Sequence, residues 1–126
     1  MLRVVLLING LVDVLAAAML ILFPAVGWRI PGYDFIGREA AFAAGGWAVA
    51  TLALGVSRIW AAYVPSLRRF AGSVALIEGT LLGAFCFIRL GTGASPLSQV
   101  ALALPVGTVF PAAYAIGFAL DRRPRE

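Results

Sequence analysis

The chain reads as an all-α integral membrane protein, a four-helix bundle with both termini in the cytoplasm. Three observations lead there. Of its 126 residues 62% are hydrophobic and only 13% are charged, outside the balance of a water-soluble domain. Four apolar runs each approach or exceed the roughly 20 residues that a helix needs to cross a hydrocarbon core. The arginines, finally, divide unevenly between the two sets of run ends, as orientation in a membrane requires.

The runs fall at about residues 2–25, 38–60, 70–90 and 99–120, with the second starting as early as Phe35 or as late as Phe42, and together they form one domain over 1–126. WRIPGYD (28–34), AAYVPSLRR (61–69) and GTGASPLS (91–98) separate them, with proline, glycine and serine where helices should stop. No soluble domain is left over. The first run mimics a secretory leader in having Arg3, an apolar stretch and small residues at 16–18, but Asp13 interrupts the apolar centre such a leader needs. It is expected to be a true crossing. Pro105 and Pro111 fall in the fourth run, where a membrane tolerates them if neighbours satisfy the freed carbonyls, so a kink is expected there.

Arg3, Arg58, Arg68, Arg69, Arg122, Arg123 and Arg125 go with the termini and the middle hinge, and only Arg29, Arg38 and Arg89 with the opposite face. Positive charge is retained on the cytoplasmic side, so both termini are expected there, in a bacterial inner membrane, with Trp28, Tyr33, Trp60 and Tyr63 as interfacial anchors. Small residues recur at helical spacing as Ala40, Ala44 and Ala48, Gly79 and Gly83, and Ala113 and Gly117, a packing seam within the bundle or between copies.

Much common chemistry is excluded. There is no histidine, and all ten basic residues are arginine, so a metal site and a Ser–His–Asp set both lack their usual base. The single cysteine, Cys86, rules out an internal disulfide and a CxxC pair, and GTGASP lacks the lysine of a phosphate loop. No cofactor is implied. The arginines stand singly at run ends, which fits membrane orientation and not nucleic-acid binding.

What needs explaining is acid in apolar company. If the first and third helices both start at the cytoplasmic face they run parallel, and Asp13 then lies about 16 Å above Leu2 and Glu78 about 12 Å above Phe70. Facing lipid would cost each carboxylate roughly 2.5–3.5 kcal/mol, so both are expected inside, facing one another and holding one proton between them. Asn9 stands one turn from Asp13 on the same face. Trp47, Thr51, Thr108 and Tyr114 reach comparable depths from the antiparallel second and fourth helices, completing a candidate polar pocket. A second cluster belongs to the opposite face: Arg29, Asp34, Arg38 and Glu39 near the start of the second helix, and Arg89 near the end of the third. Arg38, Glu39 and Arg89 are candidates for an ion network there, or for a docking point for lipid head groups or a substrate carboxylate. Glu39 also complements a helix N-terminus.

REAAFAAGGWAVATLALGVSRIWAA (38–62) carries an acidic residue at the helix start, a glycine pair, then LG before a basic residue, and in this it resembles the second helix of DoxX-like small bacterial membrane proteins. LRRF and LIEGTLLGAFCFIRLGTG resemble segments of uncharacterised four-helix bacterial families of this size. The resemblance implies a four-helix fold and, for some members, a role beside quinone-linked oxidation. No residue here matches a quinone or thiosulfate site, so that activity is not carried over.

The first expectation for function is a non-catalytic membrane component, either an accessory subunit or a binder of a hydrophobic small molecule, with a buried polar site. The alternatives are a small proton-coupled transporter and a membrane-embedded acid/base enzyme (isomerase, cyclase or hydrolase) in which Asp13 and Glu78 divide the work on a lipid-soluble substrate. The partners implied are membrane lipid, a hydrophobic small molecule, and a homo-oligomer or larger membrane complex.

Overall fold

The computed structural model describes residues 1–22 and 38–121, with the side chains of residues 38–41 outside the description. Helices α1 (Leu2–Leu22), α2 (Arg38–Tyr63), α3 (Pro65–Gly91), the short α4 (Leu97–Val100) and α5 (Ala103–Asp121) follow in order, with no strand among the described residues. Four of these, Leu2–Leu22, Phe42–Tyr63, Pro65–Gly91 and Ala103–Asp121, are long and apolar enough to cross a membrane. They match the four apolar runs.

Where boundaries differ, local chemistry explains it. The expected hinge at 61–69 is almost entirely helical: α2 continues to Tyr63 and α3 begins at Pro65, leaving Val64 alone in extended conformation between them. Proline suits the first position of a helix, where its missing N–H has no partner to lose. Arg68 closes the junction by donating from Nε to the carbonyl of Ala62 at 3.0 Å. The last run, expected as one kinked helix over 99–120, is instead divided, with turn residues at 101 and 102 between α4 and α5. Pro105 sits in the first turn of α5 and Pro111 in its interior.

Packing is closest within two pairs, α1 with α2 and α3 with α5. Gly10 and Gly55 meet backbone to backbone: a β-carbon on Gly10 would stand 2.7 Å from the Gly55 carbonyl oxygen, and one on Gly55 2.8 Å from that of Gly10. Gly83 and Gly107 meet in the same way, and Gly79 takes the ring of Pro111. Small residues let helices approach like this where lipid gives no hydrophobic drive for association. Thus Gly79, Gly83 and Gly117 of the small-residue seam pack inside the bundle, Gly117 against Leu2. Leu2 also wedges against Gly72 of α3, joining the two pairs. The core of Leu2, Val5, Leu6, Ala61, Ala62, Ala75 and Tyr114 lies toward the end where α2 turns into α3. Toward the other end of α2, a β-carbon on Gly45 or Gly46 would meet nothing within 4 Å among the described residues.

Trp60 and Tyr63 are exposed at the α2–α3 junction, where the Arg3 guanidinium lies 5.3 Å from the centre of the Tyr63 ring. Trp28 and Tyr33 lie outside the described residues.

Candidate functional site

The polar residues of the helices converge on one side chain that the pattern of run ends had assigned elsewhere. Arg58 does not join the charges at the α2–α3 junction. It is 4% exposed, inside the bundle, with Nη1 donating to Oδ2 of Asp13 and Nη2 donating to Oε2 of Glu78. Counting it with the interior leaves six arginines toward the termini and junction against three opposite, by sequence placement.

The geometry of the helices brings these groups to one depth. Side chains lean toward the N-terminus of their helix. On α2 that carries the guanidinium away from the junction; on α1 and α3, which run the other way, it carries the carboxylates toward it. The close Gly10–Gly55 crossing sets Asp13 beside α2, with its β-carbon 2.9 Å from where one on Gly55 would be. A side chain at 55 would therefore push the acid and its partner apart.

Asp13, 7% exposed, is enclosed further: Nδ2 of Asn9 lies 3.4 Å from each of its carboxylate oxygens. Asn9 in turn accepts at Oδ1 a hydrogen bond of 3.0 Å from the hydroxyl of Tyr114, which is fully buried. The chain Tyr114–Asn9–Asp13–Arg58–Glu78 thus links α5, α1, α2 and α3 in a continuous run of hydrogen bonds and ion pairs. Among the described residues, every buried side-chain nitrogen and oxygen has a partner. Removing the Tyr114 hydroxyl should therefore cost about 1 kcal/mol, the usual worth of an interhelical hydrogen bond in a membrane. Tyr114→Phe is expected to lower the free energy of unfolding in detergent by at least that amount, because the buried Asn9 Oδ1 loses its donor while the Asn9–Asp13 contact stays.

Glu78 is the exception to this enclosure. Its side chain is 44% exposed against 9% for Asp13 and 5% for Arg58. Each carboxylate pairs with the one Arg58 guanidinium, which stands where a shared proton was expected, and Glu78, expected inside like Asp13, instead opens to the outside of the bundle.

Other candidates are not brought to this site. The Thr51 hydroxyl donates to the carbonyl of Trp47 at 2.9 Å, and that of Thr108 to the carbonyl of Leu104 at 2.8 Å, so each bonds its own helix. Trp47 is exposed on α2. None of these three joins the hydrogen bonds of the cluster. Arg89 bonds Ser95 Oγ at 3.1 Å and the Ala94 carbonyl at 2.9 Å, tying down the turn after α3. The side chains of Arg38 and Glu39, like Arg29 and Asp34, lie outside the described residues, and so does the ion network expected of them. Among the described residues no three metal-ligating side chains gather.

Arg58 is the residue that reasoning from run ends missed. A signal was present: Ala48, Gly55 and Ala62 repeat at seven-residue spacing on α2, all are buried, and Arg58 falls three residues after Gly55 on that same face. No family model, curated protein or solved structure matches the chain.

Proposed function

We propose that the chain is a non-catalytic integral membrane protein, in a bacterial inner membrane with both termini in the cytoplasm, that binds a hydrophobic small molecule at the open edge of its buried ion cluster. The observation that carries this reading is the Arg58 bridge. An acid/base enzyme needs one carboxyl free to give a proton and another free to take one. Here both are held by one cation, Asp13 is walled in by Asn9, and only Glu78 is reachable from outside. What remains for a ligand is a contact with Glu78 and the apolar surface around it, which is a binding arrangement. The DoxX-like resemblance of residues 38–62 belongs to this reading as a four-helix expectation and adds no quinone chemistry.

Reconstitution separates this function from transport. Purified protein in liposomes carrying a trapped pH-sensitive dye is expected to pass no more protons than empty liposomes under an imposed gradient. A flux that Glu78→Gln abolishes while the variant remains folded would replace the binding reading with a proton-coupled one.

A further inference from the structure

Glu78 stands half-exposed on a helix long and apolar enough to span a membrane, and its surroundings narrow what sits against it. Two carboxylates share one guanidinium, so with both ionised the cluster holds one negative charge in excess. That excess lies at its open end. Asp13 is covered by Asn9 and Arg58, whereas Glu78 has Arg58 on Oε2 and a side chain still 44% exposed. On α3, Val74, Leu81 and Phe85 stand four residues before, three after and seven after Glu78, and all three are exposed. At 3.6 residues per turn these positions fall on the side of the helix that carries Glu78, so apolar surface flanks the carboxylate above and below.

We propose that this edge binds a lipophilic organic cation, with Glu78 as its counter-charge and the Val74, Leu81 and Phe85 side of α3 as the wall for its apolar body. The chemistry selects against the other partners for a half-exposed negative charge set in apolar surface. A small hydrated metal ion keeps its water, for which Val74, Leu81 and Phe85 offer no replacement ligands. An anion or a neutral lipid leaves the excess charge uncompensated in a medium where that is costly. A cation whose charge is spread over an apolar body satisfies both surfaces, and the Phe85 ring adds a favourable face for it.

The inference rests on the binding reading above, and its test is separate from proton flux. Tetraphenylphosphonium is titrated against the protein in phosphatidylcholine nanodiscs, with empty nanodiscs subtracted to remove partition into lipid. Saturable binding is expected, weakened at least tenfold in Glu78→Gln, several-fold in Phe85→Ala, and little in Glu78→Asp. Tetraphenylborate, of the same size and opposite charge, is expected to show no saturable binding to the unaltered protein, a comparison that does not depend on any variant folding. Absence of saturable phosphonium binding, or equal saturable binding of the borate, overturns the cation assignment. Without proton flux, that result leaves the non-catalytic reading in place and removes only the ligand class; a Glu78-dependent flux removes the reading itself.

Discussion

Arg58→Ala is expected to destabilise the bundle by about 3–5 kcal/mol, the range for removing one partner of a buried ion pair. The loss comes less from the missing contacts than from what stays behind. Asp13 would remain enclosed with Asn9 and Tyr114 but without its cation, and Glu78 would lose the guanidinium that partners it. Because whole-domain stabilities are typically 5–15 kcal/mol, the variant should sit near the edge of folding. The measurement is the midpoint of unfolding in a mixed detergent titration, with helicity as the readout. A triple replacement, Asp13→Leu with Arg58→Met and Glu78→Leu, is expected to recover most of the loss, since apolar side chains of similar size often replace a buried ion cluster without penalty. If Arg58→Ala is as stable as the unaltered protein, the guanidinium is not what joins the three helices.

The second large effect is expected at the helix crossings. In Gly83→Val the added β-carbon would meet the backbone of Gly107, and backbone cannot turn aside as the end of a side chain can. The two helices must separate along their line of contact. Overpacking of a tight site costs about 1–3 kcal/mol and occasionally more, and this position belongs at the upper end because the opposing atoms are main chain. Gly45→Val is the control, since among the described residues nothing stands within 4 Å of a β-carbon there. Resistance to denaturing detergent is expected to fall for the first and hold for the second; equal behaviour of the two would mean that the α3–α5 approach does not matter to stability.

Much of this fold is legible in the residues because spanning a bilayer leaves few choices. A run of about 20 apolar residues bounded by glycine, proline and serine fixes a helix and its rough ends. The enclosure of Asp13 follows from the cost of turning an acid toward lipid, whereas Glu78 stays half-exposed and is tied to Asp13 only through Arg58. Asn9 and Tyr114 follow from the same reasoning. Depth counted from run ends misplaced Trp47, Thr51 and Thr108, because the Gly10–Gly55 crossing sets Asp13 level with Gly55, about one turn beyond Thr51 and two beyond Trp47 on α2, and because depth says nothing about which side of a helix a residue occupies. Arg58 failed for the opposite reason. Proximity to a helix end suggested water, yet its place among Ala48, Gly55 and Ala62 put it on the buried side. Position around the helix, read together with position along it, finds the cluster. The helix from Pro65 was hidden by treating proline only as a breaker, when at the first turn it is a starter.

The pairing of Asp13 with Arg58 also bears on how such a chain enters a bilayer during biosynthesis. Leaving the ribosome, α1 alone would present a lone acid to the hydrocarbon, and α2 alone a lone base, each a substantial barrier to partitioning from the translocon. Taken up together as an antiparallel hairpin, they cancel, and the Gly10–Gly55 contact already gives the two segments a reason to travel as one. Glu78 arrives only with the next segment to be synthesised. Its carboxylate then has the Arg58 guanidinium, already paired with Asp13, as a partner.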